Sequence, residues 1–311
     1  MIISASRRTD IPAYYSEWFM NRLKEGYVLT RNPMNHAQIS RIQLSPDIID
    51  CIVFWTKDPK PMLEQLPLLD QMGYRYYFQF TLTPYGRDME PNLRDKNDIM
   101  KTFMMLSETV GKAKVLWRYD PIIVNDSYTV DFHLEKIKDM CRRLSGYTEV
   151  CTISFVDLYQ KLNPANQPFL REITEEEMIR LASAFAEAGK RFGISVRACC
   201  ERLDLSQYGI SSASCIDREA IERVCGYTIE GPKDTNQRSG CGCIQSIDIG
   251  IYNTCRNGCI YCYANIGRTS AQKNFESHDS KSELLFGAVR EDDQIRDRAV
   301  KSLRNNQMKL F

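Results

Sequence analysis

Short apolar runs, rich in β-branched and aromatic residues, alternate with longer amphipathic stretches along most of this chain. The runs predict strands over residues 2–6, 51–55, 76–82, 114–119, 150–155, 194–198 and 247–252. The stretches between them predict helices over residues 15–24, 60–72, 95–110, 130–144 and 174–192. Apolar strands that alternate with helices form parallel β/α units, which close wholly or partly into a barrel. We therefore expect an α/β protein with a partial, TIM-like β/α barrel.

Charged side chains follow the ends of several predicted strands. They are Arg7, Arg8, Asp10, Lys57, Arg118, Asp120 and Arg197. Loops at the carboxyl ends of barrel strands carry the functional groups of β/α barrels, because these loops vary over a packed scaffold. The set therefore predicts a site at the mouth of the barrel, although salt bridges across the rim would use the same residue types.

The composition is that of a globular protein without a strong overall charge. Of the 311 residues, 43% are hydrophobic and 26% are charged, and the formal net charge is +1. This balance provides no overall field that would attract nucleic acid or an anionic membrane. No apolar stretch reaches the roughly 18 residues of a membrane-spanning helix, and the first residues lack the pattern of a signal peptide. We expect a cytoplasmic protein with no membrane partner.

The chain contains twelve cysteines, which is a high number for a cytoplasmic protein. Disulfides are rare in a reducing compartment, so some of these cysteines are expected to be metal ligands or reactive thiols. Nine of the twelve fall between Cys199 and Cys262, which random scatter through a core would not produce. The cysteines therefore point to a metal-binding region in the last third of the chain.

The composition changes near Cys199, after which cysteine and polar residues dominate. We place a boundary there. Residues 1–198 are expected to supply the barrel strands and helices, and residues 199–311 a cysteine-rich region that packs on the barrel and completes it. The charged, periodic tail, residues 291–310, predicts a C-terminal helix on the outside of the barrel.

The most specific motif is formed by Cys255, Cys259 and Cys262 in a C-x3-C-x2-C spacing. Soft thiolate sulfur suits iron, so three thiolates on one tight loop can hold three corners of a cubane 4Fe-4S cluster. The fourth iron then stays open. It can bind S-adenosylmethionine (SAM) through its amino and carboxylate groups, which places the sulfonium beside an electron donor.

This spacing, with the aromatic Tyr261 directly before the last cysteine, resembles the signature of the radical SAM superfamily. The resemblance implies that the three cysteines ligate the cluster and that Tyr261 lies near the adenine of SAM. It also implies reductive cleavage of SAM, abstraction of hydrogen from a substrate, and a flavodoxin or ferredoxin as electron donor. The Cys-Tyr continuation at Cys262 is similar to the spore photoproduct lyase branch. Among the strand-end residues we favour Lys57 and Arg118 for binding the SAM carboxylate.

Other functions fit the same three cysteines. Zinc could bind the three thiolates and a distant fourth ligand, and a fourth cysteine could complete a conventional electron-transfer cluster. Either arrangement would make a non-catalytic redox or structural protein. The likeness to spore photoproduct lyase also suggests a further hypothesis, a radical SAM enzyme that acts on nucleic acid. The net charge of +1 gives this hypothesis little support.

The motif follows about 250 residues of chain, whereas in most radical SAM proteins it follows the first barrel strand. The strand predicted over residues 247–252 leads into the motif, so we expect a circularly permuted barrel whose usual first strand comes last. Nearly the whole chain is also similar to a bacterial family known as a domain of unknown function. The similar segments are residues 4–13, 54–59, 118–121, 233–238 and 248–252.

A second cysteine group precedes the motif. From it we select Cys200, Cys215, Cys241 and Cys243 as ligands of a second metal site, because Gly240 and Gly242 allow a tight turn around a metal. An auxiliary iron-sulfur cluster is the favoured occupant, a structural zinc is the rival, and buried free thiols are the remaining alternative. Neighbouring residues on a strand face opposite sides, so we expect only one of Cys199 and Cys200 to point inward.

Overall fold

The computed structural model describes residues 1–158, 169–238 and 240–305. Its strands are β1 Ile2–Ala5, β2 Tyr27–Arg31, β3 Gln38–Gln43, β4 Cys51–Thr56, β5 Tyr76–Thr81, β6 Val115–Ile122, β7 Val150–Phe155, β8 Ser195–Ala198, β9 Ser211–Ser212, β10 Ile247–Asp248 and β11 Gln294–Asp297. Eight of them form one sheet in the order β10-β1-β4-β5-β6-β7-β8-β9. Every neighbouring pair in that sheet is parallel. The predicted parallel β/α architecture is confirmed.

Helices lie between these strands, and the five predicted ones are among them. The helices are α1 Ile11–Tyr14, α2 Ser16–Glu25, α3 Leu66–Gln71, α4 Lys96–Val110, α5 Val130–Leu144, α6 Glu175–Phe192, α7 Arg218–Cys225 and α8 Arg268–Glu276. The expected helix over residues 60–72 is divided: Lys60–Gln65 form a 3-10 helix, and Pro67 at the start of α3 cannot continue the hydrogen bonding of the preceding turn. Among the described residues, none of the helices is both long enough and apolar enough to cross a bilayer.

Both faces of the eight-stranded sheet are buried, which explains why its strands are apolar throughout. In β4, Ile52 and Phe54 face a core shared with the helices, whereas Cys51 and Val53 face a second core. That second core includes apolar residues of the cysteine-rich region, such as Ile221 on α7. The cysteine-rich region therefore covers one face of the sheet, and it is held there by apolar burial.

The pairing of β10 with β1 brings the end of the chain next to its beginning. Ile3 lies opposite Ile247, and Ser4 lies opposite Asp248. The Asp248 carboxylate accepts hydrogen bonds from Ser4 Oγ at 2.9 Å, from Ser6 Oγ at 2.6 Å and from the Arg7 backbone N–H at 2.9 Å. The strand is shorter than the predicted 247–252, and Gly250 packs directly on Ser6.

A small second sheet, in the order β11-β3-β2, was not predicted. Its strand β11 corrects the expectation of a helix over residues 291–310, since the described part of that tail, to residue 305, contains a strand and no helix. Residues 306–310 lie outside the described residues. The tail is charged on all sides and has no face to bury, so hydrogen bonding to β3 determines its conformation.

Gly250→Ala tests the contact that seats the β10 segment on β1. A Cβ at this position would lie 2.6 Å from Ser6 Cβ, so one of the two backbones has to move. We expect the substitution to lower the free energy of unfolding by about 1–3 kcal/mol in urea denaturation. Gly267→Ala is the matched control, because a Cβ there would meet nothing within 4 Å. Equal effects of the two substitutions would contradict the proposed contact.

Candidate functional site

A cavity of about 460 Å³ opens at the carboxyl ends of the strands. It is lined by residues that follow β1, β4 and β8, and by the segment after β10, for example Arg7, Lys57, Cys199 and Cys255. Strands β10 and β8 lie near opposite edges of the sheet. Because residues from both edges line one cavity, the sheet is curved in the manner of a partial barrel.

The three cysteines of the C-x3-C-x2-C loop all line this cavity, as the motif requires of a shared site. Gly258 within the loop has a φ of 68°, in the left-handed region that favours glycine. A Cβ on Gly258 would also lie 2.9 Å from Asn92 Nδ2. Asn92 Nδ2 in turn donates to the carbonyl of Arg256 at 2.7 Å. The loop is therefore packed tightly against the segment that follows β5.

Asp10 connects this loop to the amino-terminal part of the barrel. Its carboxylate accepts a hydrogen bond from the backbone N–H of Lys57 at 2.7 Å and from Asn257 Nδ2 at 3.1 Å. The same carboxylate caps α1 by accepting from the Ala13 backbone N–H at 3.1 Å. Burial raises the pKa of Asp10, and these donors oppose that rise. Asp10 thus acts as a positioning residue, since it fixes the loop relative to Lys57.

A buried ion-pair network lies beside the loop. Lys57 Nζ donates to Glu90 Oε1 at 2.7 Å and to the Tyr261 hydroxyl at 2.9 Å. Lys96 and Tyr261 also bond to Glu90. Burial alone would raise the pKa of Glu90, but the two ammonium groups outweigh it and lower the pKa to about 2. Two ammonium groups and one carboxylate leave one net positive charge at the cavity wall.

The thiols of the loop have surroundings that suit thiolate ligands. Burial raises the pKa of Cys259 to about 12, and the ammonium group of Lys57 opposes that rise. The Ala264 backbone N–H donates to Cys262 Sγ at 3.3 Å. Backbone N–H groups and cations aimed at sulfur stabilise negative charge there, as they do around iron-sulfur clusters. The donor set therefore fits a cluster with three cysteine ligands.

Five further cysteines line the opposite part of the cavity: Cys199, Cys200, Cys215, Cys241 and Cys243. Both Cys199 and Cys200 line the cavity, and the Cys199 sulfur contacts the Cys215 sulfur at 3.1 Å. Cys200 has a φ of 59°, so the pair does not follow the alternation of an extended strand.

The two cations favoured from the sequence lie at different cysteine groups. Lys57 is next to the loop: burial lowers its pKa, and its neighbours, Glu90 first and Cys259 after it, outweigh that effect. Arg118 Nη1 instead contacts Cys215 Sγ at 2.8 Å, and its guanidinium also pairs with Asp120. Tyr261, which belongs to the loop, packs edge-on against Tyr85, with ring centroids 6.1 Å apart.

Several residues of the site were not singled out from the sequence. Glu90 and Lys96 lie in the segment around the start of α4, where they look like ordinary surface charges. Nothing in local spacing connects them with a motif more than 150 residues away. In the described part of the chain, no three His, Cys, Asp or Glu side chains are already gathered closely enough to enclose a single metal ion.

Residues 2–264 match the family described as a domain of unknown function, DUF1848. The chain belongs to this family. No curated protein matches it. Among solved structures it is similar to an alpha-L-fucosidase candidate from Bacteroides thetaiotaomicron VPI-5482, with 8% identity, 75% of this chain and 85% of that chain covered, and a TM-score of 0.26. A likeness at that TM-score carries no argument about this DUF1848 protein.

Glu90→Gln tests the buried network. The variant leaves two buried ammonium groups without a charged partner, so we expect the free energy of unfolding at pH 7 to fall by about 3 kcal/mol. Because the folded pKa of Glu90 is lowered from 4.5 to about 2, its stabilisation is present above pH 4.5 and is lost as the pH falls toward 2. The free energy of unfolding of the wild type should therefore fall more steeply below pH 4.5 than that of the variant.

Glu108→Gln, an exposed substitution on α4, is the matched control. It should change the free energy of unfolding by less than about 0.5 kcal/mol and leave its pH dependence unaltered. Parallel pH profiles for the wild type and Glu90→Gln would refute the assigned charge state.

Proposed function

We propose that this protein is a radical SAM enzyme. The observation that carries the proposal is the placement of the C-x3-C-x2-C loop: its three cysteines face a cavity at the carboxyl ends of a parallel, curved sheet. Such a cavity can shield a reactive species from solvent while it admits a substrate.

Cys255, Cys259 and Cys262 would hold a 4Fe-4S cluster. When bound, such a cluster supplies the electron that cleaves SAM to methionine and a 5′-deoxyadenosyl radical. A flavodoxin or ferredoxin would deliver that electron. The described residues contribute orientation and charge: Asp10 and Asn257 hold the loop in place, at 3.1 Å from each other.

Lys57 is the group best placed to attract the SAM carboxylate. It lines the cavity, it is next to Cys259, and the network of Lys57, Lys96 and Glu90 keeps one net positive charge. An anionic group that entered there would meet a cation already desolvated and held by two hydrogen bonds. Preorganisation of this kind lowers the cost of binding.

The permuted barrel belongs to the same proposal. Strand β10 precedes the cysteine loop and occupies the sheet edge next to β1. In a circular permutant this is the place of the usual first strand, which pairs with its neighbour in space whatever its position in the sequence. The arrangement keeps the cluster loop at a strand's carboxyl end.

Anaerobic reconstitution with iron and sulfide tests the function directly. Reduced protein mixed with SAM should release 5′-deoxyadenosine, measured by liquid chromatography with mass spectrometry. Cys259→Ala should abolish this release and reduce the bound iron, because the cluster loses one of three ligands. Cys141→Ala is the control, since Cys141 is buried on α5 in the helix-facing core, and it should retain both properties.

Zinc as the sole metal at the loop, or a cluster that reduces normally but never cleaves SAM, would refute the proposal. The first result would indicate a structural zinc protein, and the second a non-catalytic electron-transfer protein. Retention of DNA or RNA at moderate salt would instead direct the search for a substrate to nucleic acid.

Lys57→Met tests the assigned carboxylate site. We expect the Kd for SAM to rise at least about tenfold, which equals roughly 1.4 kcal/mol of lost binding. Equilibrium dialysis of reconstituted protein measures this without turnover. Lys101→Met removes an exposed lysine of α4 and should leave the Kd unchanged. An unchanged Kd for Lys57→Met would place the carboxylate elsewhere in the cavity.

A further inference from the structure

The second cysteine group consists of Cys199, Cys200, Cys215, Cys241 and Cys243, and thiols of this group contact one another at the cavity wall. The sulfurs of Cys199 and Cys215 are 3.1 Å apart. Cys243 lies close enough to both Cys215 and Cys241 to affect the pKa of each of these thiols. These residues come from the ends of β8 and β9 and from the segment before β10, so the fold assembles them from three separate parts of the chain. If these cysteines served only as small apolar core residues, their sulfur atoms would not need to lie together.

Hydrogen-bond donors are aimed at these sulfurs. Arg118 Nη1 lies 2.8 Å from Cys215 Sγ, and the Ile216 backbone N–H donates to Cys243 Sγ at 3.3 Å. Arg7 lies near the same thiols, since Cys243 and Cys215 are among the groups that raise its pKa against the effect of burial. Its Nη2 is buried and has no partner among the described residues. Buried guanidinium groups need anionic acceptors, and neutral thiols are weak ones.

The guanidinium groups of Arg7 and Arg118 both contact the ring of Trp55. The Cζ atoms of Arg7 and Arg118 lie 5.1 Å and 5.2 Å from the centre of the Trp55 ring. Trp55 is itself anchored, since its Nε1 donates to Ser4 Oγ at 3.1 Å. Both cations are therefore within cation–π distance of the same ring.

The segment that carries Cys241 and Cys243 is shaped to approach Cys215 closely. A Cβ on Gly242 would lie 2.4 Å from Ser214 Oγ, so a larger residue there would require the Ser214 hydroxyl to rotate away. A Cβ on Gly240 would lie 3.5 Å from Cys200 Sγ, which brings Cys200 to the other side of the same turn. The left-handed conformation of Cys200 is uncommon for a residue with a side chain.

We infer that this group is a second thiolate-bound metal centre, separate from the C-x3-C-x2-C loop. Its ligands are Cys215, Cys241, Cys243 and one thiolate of the Cys199–Cys200 pair. Four thiolates around a divalent ion carry a net charge of −2, and the guanidinium groups of Arg7 and Arg118, the latter shared with Asp120, lie beside them. The ligand class is a soft metal, either zinc or an auxiliary iron-sulfur cluster. The thiols are neighbours that close around the metal when it binds, and glycine on both sides of Cys241 permits that closure.

The centre does not depend on the proposed SAM chemistry, so the test removes the first site. A triple variant with Cys255→Ala, Cys259→Ala and Cys262→Ala, called the loop-deficient variant, is prepared in two ways. One sample is purified with zinc, and the other is reconstituted anaerobically with iron and sulfide. Metal and sulfide per chain are measured by mass spectrometry and by sulfide assay. We expect either about one zinc or a full iron-sulfur cluster to remain bound.

Single substitutions in that background assign the ligands. Cys241→Ser, in an irregular segment where a folding defect is least expected, should lower bound metal at least about tenfold, because a closed thiolate site loses a ligand. Cys151→Ala, in the helix-facing core on β7, should retain the metal. Substitution of Cys199 or Cys200, one at a time, identifies the fourth ligand.

Cobalt(II) provides a second readout that needs no activity. Its thiolate charge-transfer absorption should appear in the loop-deficient variant and disappear in Cys241→Ser, while the circular dichroism of both stays the same. A loop-deficient protein that is folded but binds neither zinc, cobalt nor an iron-sulfur cluster would overturn the inference. Retention of full metal content by Cys241→Ser would overturn it as well.

Discussion

The pairing of β10 with β1 is the contact on which the candidate site depends. It joins residues that are more than 240 positions apart in the sequence, and Asp248 secures it with hydrogen bonds to two serine hydroxyls and a backbone N–H. Because β10 runs parallel to β1, the loop that follows it emerges at the same edge as Asp10. The cysteine loop is thereby brought to the cavity and held against the amino-terminal barrel strands.

Each group of cysteines faces its own cations. Lys57 and Lys96 lie near the loop and share Glu90, whereas Arg7 and Arg118 lie at the second group, and both contact the Trp55 ring. Buried thiolates are costly without such partners, since low-dielectric surroundings penalise an isolated charge. The barrel region supplies the cations and the cysteine-rich region supplies the thiols. Neither region forms the cavity wall alone.

Much of the fold followed from local pattern. The seven predicted strands and the five predicted helices are present, and Thr174 with Glu177 forms the capping box that starts α6. Strands β2, β3 and β11 were missed because they are short or partly exposed and lack the apolar runs of the main sheet. The tail was wrongly expected to be helical, because periodic charge does not distinguish an exposed helix from a strand paired at a sheet edge.

The sequence by itself determined which chemistry the chain carries: thiols at the spacing of a cluster loop, a second cysteine group, and charged residues after apolar strands. Those features are local, and short-range spacing reveals them. Only the tertiary structure decided that Lys57 lies with Cys259, that Arg118 lies with Cys215, and that Glu90 joins the first of these pairs. Such contacts depend on the order and curvature of the strands, and these follow from packing between residues that are distant in the sequence.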